Sequence, residues 1–167
     1  RQAILQALAE QSRIVRVPLN RAGTRHRIGK RANMLLQELG REATHAEIAP
    51  FHTREHISPV EILCLEATGW PDGGDTPARR GLDAAAAAVV GASVFAMEHI
   101  MAGHAHRAFV PIAGLHHAAR DRAAGFCIYN DCGVVLELLR SRHGLGRVAY
   151  VDIDAHHGDG VFYAFED

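Results

Sequence analysis

The segment over residues 148–160, VAYVDIDAHHGDG, limits the fold more than any other part of the chain. It begins as an apolar run of the kind that a parallel sheet buries, which predicts a strand over 148–153. Three carboxylates and two imidazoles then follow within eight positions, and bringing them together is costly unless a cation binds them. Because open α/β sheets place their sites at strand ends, the segment predicts an α/β fold with a site at this edge.

Three of these side chains share one face if the chain stays extended, because side chains alternate along a strand with a period of two. They are Asp152, Asp154 and His156. Carboxylate oxygen and imidazole nitrogen suit zinc, so the spacing predicts a site in which Asp154 and His156 need a third protein ligand and a water. The alternative is a polar surface turn, but a turn needs one or two such residues and this segment has five.

A second polar cluster, His116–His117, follows a short apolar segment that predicts a strand over 109–112. A predicted helix over 132–142 then leads to the first predicted strand. This order is that of a right-handed crossover between parallel strands, whose carboxyl ends lie on one edge of the sheet. We therefore expect the loop after residue 112 and the loop after residue 153 to meet.

Where those loops meet, the histidine pair would be placed for proton transfer. Hydrolysis needs a proton acceptor beside the attacking water and a donor to the leaving amine, and His116 and His117 suit these tasks. Asp152 and Asp159 flank the metal ligands and are the carboxylates that would orient the rings. Taken alone, a His-His pair is more typical of loop imidazoles bonded to backbone, but its position beside the second cluster favours catalysis.

The rest of the chain predicts an alternation of helices, short strands and loops. Apolar spacing predicts helices over residues 1–11, 31–39, 53–67 and 82–102, strands over 14–17 and 46–49, and loops over 68–77 and 114–130. Thr53 and Asp131 are the predicted caps of the helices that follow them. The helix over 82–102 is apolar nearly all round, which predicts that it is buried between other elements.

Composition excludes several classes of protein. With 167 residues the chain is long enough for one domain with a core, and its formal charge of −1 favours neither nucleic acid nor a membrane surface as a partner. The apolar helix near residue 90 is interrupted by Gly and Ser and followed by His99, so it is not interpreted as transmembrane. Three cysteines in no zinc-finger spacing favour a reducing cytoplasm.

Two long motifs carry a resemblance to a known family. Residues 115–131, LHHAARDRAAGFCIYND, and 150–160, YVDIDAHHGDG, resemble the histone deacetylase family, which includes bacterial acetoin-utilisation proteins and acetylpolyamine amidohydrolases. Weaker similarity extends through residues 29–32, 51–53 and 74–77. The resemblance implies a three-layer αβα fold with a mainly parallel sheet, as in arginases and deacetylases. It makes residues 1–167 a partial deacetylase domain that lacks its C-terminal part.

The resemblance also assigns roles to the histidine pair and its carboxylates. His117 would be the general base on the metal-bound water, and His116 would be its partner, acting electrostatically or as an acid. Asp152 would pair with His116, and Asp159 would pair with His117.

The same resemblance implies that Asp154 and His156 are zinc ligands. It also implies a potassium ion near the strand end, bound partly through Asp152, Asp154 and the His156 carbonyl. The family takes its third zinc ligand, an Asp, and its oxyanion-stabilising Tyr from later segments, and this chain ends at Asp167 before either. We therefore expect the chain to be part of a longer protein and to be inactive by itself.

Four further residues are implied to contact substrate. Gly125 and Phe126 would line a narrow tunnel for an acetylated amine chain, Asp75 would hold substrate backbone at the rim, and Arg31 would line a pocket beyond the metal. The alternatives stay open from the residues alone. Phe126 also suits an ordinary core position, Asp75 a simple turn, and Arg31 a solvated helix.

These observations give one leading functional hypothesis and two alternatives. The first is a zinc-dependent amidohydrolase that removes acetyl groups from acetylated lysine or an acetylated polyamine. The second is a binuclear manganese ureohydrolase, whose arginase-type fold also places Asp and His clusters at strand ends. The third is a truncated, non-catalytic homologue that binds acetylated ligands or a partner protein.

Overall fold

The computed structural model of this protein describes residues 41–166, and five α-helices lie in that range. They are α1 (His45–Ile48), α2 (Arg54–Glu66), α3 (Leu82–Met101), α4 (Asp131–Ser141) and α5 (Asp159–Phe162). The helices predicted over 1–11 and 31–39, the strand predicted over 14–17, and Arg31 lie outside the described residues.

Helix α1 replaces the strand that was predicted over residues 46–49, and that prediction is wrong. The Glu47 carboxylate accepts hydrogen bonds from the backbone N–H of Thr44 at 2.8 Å and from its hydroxyl at 3.0 Å. This local capping arrangement stabilises a helical turn, and it outweighs the weak strand propensity of a four-residue segment. Arg41 binds the same carboxylate through both terminal nitrogens, and this hydrogen bonding lowers the pKa of Glu47 to about 2.

The predicted helices after Thr53 and Leu82 are confirmed. Helix α2 begins directly after Thr53 and ends at Glu66, and its C-cap Ala67 has a φ of 54°, in the left-handed region. Pro59 is tolerated inside α2, in its second turn. Helix α3 is long and apolar enough to cross a membrane by length and composition. It packs against α2 and α4, and its buried side comprises Ala86, Ala87, Val90, Gly91, Ser93, Val94 and Met97.

Helix α4 is confirmed as well, but its cap is different from the predicted one. Asn130, and not Asp131, is the N-cap, because the Asn130 side chain accepts a hydrogen bond at 2.9 Å from the backbone N–H of Gly133. The Asp131 carboxylate instead binds backbone N–H groups of residues 114 and 115. Both residues are suitable caps, so tertiary contacts decide between them.

Helices α2, α3 and α4 enclose one apolar core. Its helical members include Ile57, Val60, Cys64, Val90, Val94, Met97, Val134 and Leu138. Ile128 and Tyr129, from the long loop before α4, are each only 2% exposed in the same cluster. Burying an aliphatic or aromatic side chain of this size contributes about 1.5–3 kcal/mol, so this core anchors the end of the loop that precedes α4.

No strand is assigned within residues 41–166, and the segments predicted as strands over 109–112 and 148–153 have irregular structure there. A strand needs a neighbour that accepts and donates its backbone hydrogen bonds, and the described residues supply no ladder to either segment. Phe109, Val151 and Ile153 are accordingly 87%, 80% and 95% exposed. The sheet therefore stays a prediction. The loops over 68–77 and 114–130 have no helix or strand, as predicted, apart from one bridge between Ala124 and Cys127.

Candidate active site

The loop after residue 112 and the loop after residue 153 meet, as expected, and two His-Asp pairs join them. His116 Nδ1 lies 2.7 Å from Asp152 Oδ2, and His117 Nδ1 lies 2.7 Å from Asp159 Oδ1. The two imidazole rings are neighbours, with centroids 4.3 Å apart. Both pairings that the resemblance implied are thus present as contacts, although the catalytic roles of these residues stay predictions.

The carboxylates determine which ring nitrogens carry protons. Asp152 also accepts hydrogen bonds from the Tyr150 hydroxyl at 2.8 Å and from the backbone N–H of Asp154 at 2.9 Å. The hydrogen bond from His116 is the largest cause that lowers the pKa of Asp152 to about 2. Burial raises the pKa of Asp159, but the hydrogen bond and charge of His117 outweigh it and lower that pKa.

Two ionised carboxylates accept hydrogen bonds and donate none, so each histidine is assigned the tautomer with its proton on Nδ1. In this tautomer the Nε2 atom of each ring is an acceptor. The His116 side chain is 8% exposed and the His117 side chain is 23% exposed, so His117 is the ring more open to a reactant. The arrangement provides an oriented base beside a second oriented imidazole, which is what general acid–base catalysis requires.

The candidate metal ligands lie next to this pair. Asp154 Oδ1 is 2.9 Å from His156 Nδ1, and the ring of His156 lies 6.0 Å from that of His117 between centroids. The backbone N–H of His156 is the largest cause that lowers the pKa of Asp154. One oxygen and one nitrogen donor therefore converge at an exposed position, and this donor chemistry fits two ligands of a zinc ion.

Asp152, two residues before Asp154, is bound to His116, as the resemblance implied. Among residues 41–166, no group of three His, Cys, Asp or Glu side chains converges into a complete metal site. Zinc usually takes three protein ligands and a water in catalytic sites, so Asp154 and His156 supply part of such a set.

Two glycines allow the close approach of the two His-Asp pairs. An added Cβ at Gly125 would lie 2.7 Å from Cδ2 of His117, and its φ of +54° is a conformation that favours glycine. An added Cβ at Gly158 would lie 2.6 Å from Asp152 Oδ2 and 3.0 Å from His116 Nδ1. A larger residue at either position would displace one of the two His-Asp pairs.

Phe126, beside Gly125, is 72% exposed and has a φ of +66°. The alternative that it is an ordinary core residue is therefore wrong for this structure. A left-handed conformation is costly for an aromatic residue, and such strain is characteristic of functional sites. Its neighbour Cys127 is buried, and burial raises the pKa of this thiol, which fits a small buried hydrophobe better than a nucleophile.

The remaining predicted site residue within the described range, Asp75, lies in the exposed loop before α3. Its backbone N–H donates to Asp72 Oδ1 at 3.1 Å, as do those of Gly74 and Thr76. Asp75 is not among the side chains that the structure brings together with the His-Asp pairs. Tyr150 is one residue that the sequence analysis missed, although its spacing of two from Asp152 places both on one face of an extended chain.

Comparison with known proteins settles the family. Residues 10–167 match the sequence model of the histone deacetylase domain, which is most of the chain. The chain belongs to the histone deacetylase family. It is 37% identical over 134 residues to the acetoin utilization protein AcuC of Bacillus subtilis (strain 168), covering 76% of this chain and 34% of AcuC. It is 40% identical over 130 residues to histone deacetylase 8 of Xenopus tropicalis, covering 74% and 35%.

Solved structures of this family are similar as well. A crystal structure of an HDAC homolog complexed with SAHA matches with a TM-score of 0.68 and 34% identity over 77% of this chain and 36% of that one. The HDAC homolog from Aquifex aeolicus matches with a TM-score of 0.65, 33% identity and the same coverage. The chain thus has the deacetylase fold of these structures over about three quarters of its length, and it spans about a third of the relatives it matches.

Proposed function

We propose that the protein containing this chain is a zinc-dependent amidohydrolase that removes acetyl groups from acetylated lysine or an acetylated polyamine. The observation that carries the proposal is the pair of His-Asp contacts at 2.7 Å beside the Asp154–His156 donor pair. An oriented general base next to metal-ligand chemistry is the minimum set for metal-assisted hydrolysis of an amide. Membership in the histone deacetylase family supports this reaction over others.

In this proposal Asp154 and His156 are the residues of the described range that hold zinc. Zinc held by these two residues would supply an acidified water and polarise the substrate carbonyl. His117 accepts on its Nε2 a proton from the attacking water. Asp159 holds the Nδ1 proton of His117 and stabilises the imidazolium that forms. The oxygen of the attacking water bonds to the carbonyl carbon and the C–N bond of the amide breaks. The leaving nitrogen receives a proton from the histidine pair, and acetate and a free amine are the products.

The residues around the histidine pair complete the proposed site. Gly125 and Phe126 line the channel for the acetylated chain. The exposed ring of Phe126 supports a contact with the methylene groups of that substrate chain. Asp75 is proposed to hold substrate backbone at the rim. A potassium ion bound partly through Asp152 is proposed as a structural ion near the metal.

Two structural statements belong to the same proposal. Residues 109–112 and 148–153 are proposed to be parallel strands of a three-layer αβα domain, and the likeness to solved deacetylase structures supports this arrangement. The protein is proposed to work in the cytoplasm, and the support is that Cys64, Cys127 and Cys132 are all free.

The test uses the full-length protein produced with both zinc and manganese in the medium, and offers it an acetyl-lysine peptide, an acetylated diamine and a guanidino compound as substrates. We expect release of acetate together with one zinc per chain by elemental analysis. Two manganese ions per chain and urea release from a guanidino substrate would favour the ureohydrolase alternative. Binding of the acetylated peptide without acetate release would overturn the proposal in favour of the non-catalytic alternative.

A further inference from the structure

We propose that Asn130 and Asp131 are positioning residues, which hold the His116–His117 pair by binding the backbone on both sides of it. The effect on turnover rests on the proposed function, whereas the effect on the geometry of the pair does not. Neither residue is a catalytic residue in this proposal, because neither side chain reaches the reacting atoms. Both act through five consecutive residues, 114–118.

Asp131 holds the N-terminal side of the pair. Its Oδ1 accepts hydrogen bonds from the backbone N–H of Gly114 at 3.0 Å and of Leu115 at 2.8 Å. Its Oδ2 accepts one from the Ser93 hydroxyl on α3 at 2.8 Å. The residue is only 3% exposed, and charge-assisted hydrogen bonds of this kind are stronger than neutral ones. The carboxylate therefore fixes the segment before His116 to the start of α4.

Asn130 holds the C-terminal side of the pair with one half of its amide group. Its Nδ2 donates to the carbonyl oxygen of Ala118 at 2.8 Å, and its Oδ1 caps α4 by accepting from Gly133 N–H. The residue is fully buried. The two functions lie on different atoms, so a substitution can remove the contact with the Ala118 carbonyl while an oxygen remains to cap the helix.

The holding residues are themselves fixed by buried groups. The backbone N–H of Asn130 donates to His52 Nε2 at 2.8 Å, and His52 is 1% exposed. Burial is the largest cause that lowers the pKa of His52 to about 3, so the ring is a neutral acceptor at physiological pH. Asn130 and Asp131 begin α4, whose Val134 and Leu138 are completely buried in the core.

The segment that they hold has no helix or ladder of its own. Residues 114–118 carry one local backbone hydrogen bond, from His116 N to the Gly114 carbonyl at 3.0 Å. The start of α5 packs directly against the same backbone, because an added Cβ at Gly160 would overlap the Ala118 carbonyl oxygen. A displacement of a catalytic group by about 1 Å is sufficient to lower the rate on the order of 10²-fold. Anchors on both sides of the histidine pair therefore have a direct consequence for catalysis.

The experiment uses zinc-loaded, full-length protein and compares two disrupting variants with two matched controls. Asn130→Asp keeps an oxygen that caps α4, but it replaces the amide donor to the Ala118 carbonyl with a second oxygen, which cannot donate. Asp131→Ala removes the acceptor for the backbone N–H groups of Gly114 and Leu115. Asp131→Asn retains an acceptor oxygen and is the conservative rescue. Ser93→Ala removes the contact of Asp131 that does not face the histidine pair.

We expect Asn130→Asp and Asp131→Ala to lower kcat roughly 10- to 100-fold with KM within about threefold. The far-downfield Nδ1–H proton signals of His116 and His117, assigned with the His116→Ala and His117→Ala variants, should shift or broaden in both. Asp131→Asn and Ser93→Ala should retain kcat within about threefold and keep these signals. If Asn130→Asp fails to fold, Asn130→Ser takes its place, since serine also caps helices and lacks the amide donor.

Wild-type kcat and unchanged Nδ1–H signals in both disrupting variants would overturn the inference. An Asp131→Asn variant as impaired as Asp131→Ala, with both losing thermal stability in proportion, would also overturn it by showing a purely structural role. If the wild type does not release acetate, the proposed function fails by itself, and the proton signals still decide whether Asn130 and Asp131 fix the pair.

Discussion

The two halves of the candidate site differ in how they are held. The histidine half, residues 114–118 with Asn130 and Asp131, is bound from several sides, and His116 is only 6% exposed. The metal half, residues 150–157, is open, with Ile153 95% exposed and the side chain of Asp154 53% exposed. One half is packed against α3, α4 and α5, whereas the other makes most of its hydrogen bonds within itself.

This difference shows that the two halves depend on different parts of the fold. The geometry of the histidine pair follows from contacts within residues 41–166, because core helices supply its anchors. The close approach of Asp154 and His156 is local. The backbone N–H of His156 binds the Asp154 carboxylate, and the backbone N–H of Asp154 binds the Asp152 carboxylate in the same way. We therefore expect substitutions in the histidine half to affect proton transfer and stability, and substitutions of Asp154 and His156 in the metal half to affect metal binding with little effect on stability.

The largest expected effect is on turnover in the histidine half. His117→Ala in the full-length protein should lower kcat by about 10²–10⁴-fold, because it removes the oriented general base. Zinc per chain should be unchanged, since His117 is not a proposed ligand. Steady-state kinetics with elemental analysis checks both statements, with the exposed loop variant His106→Ala as the control. Unchanged turnover would falsify the proposed mechanism.

The next effect concerns the buried framework and its response to acid. The pKa of Glu47 is about 2 in the folded protein, against an ordinary value of 4.5, mainly because of the hydrogen bond from Arg41. The unfolded chain therefore binds more protons between these values. This contribution, on the order of 3 kcal/mol, is present above about pH 4.5 and is lost as the pH falls toward 2.

Glu47→Gln should remove this part of the pH dependence, which urea unfolding of the protein at pH 7 and pH 3 measures. The exposed Glu66→Gln variant is the control, and its unfolding free energy should follow that of the wild type. An acid dependence in Glu47→Gln equal to that of the wild type would show that other carboxylates carry the effect.

A smaller effect is expected at the close contact between Gly125 and the ring of His117. Gly125→Ala should cost about 1 kcal/mol or more in the free energy of unfolding, because φ at this position is +54° and the methyl group would meet the His117 ring. It should also lower kcat by displacing that ring. Gly146→Ala is the matched control, since an added Cβ there meets nothing within 4 Å. Equal unfolding free energies for the two variants would contradict the close approach of Gly125.

The smallest effect on stability is expected in the metal half. Asp154→Asn should leave the unfolding free energy of the metal-free protein nearly unchanged, because the side chain is exposed. Zinc binding measured by calorimetry should nevertheless weaken, since the carboxylate is a proposed ligand. A large loss of stability without zinc would show that the exposed segment supports the fold, and the contrast between the halves would then fail.

The sequence by itself determined the chemistry of the site and the longer helices. Alternation and spacing identified the His116–His117 pair and the Asp and His cluster after it, because metal-ligand and acid–base side chains rarely occur together by chance. Helices α2, α3 and α4 followed from apolar periodicity, which reflects burial on one face.

Tertiary contacts decided between conformations that local sequence preference does not distinguish. Asn130 and Asp131 are both good caps, and only the positions of Gly114, Ala118 and Gly133 determine which side chain turns toward the helix and which toward the histidine loop. The turn over α1 became helical through contacts of Glu47 with Thr44 and Arg41. The two apolar segments predicted as strands illustrate the same physical reason, because a strand is defined by hydrogen bonds to a neighbouring strand and not by its own residues.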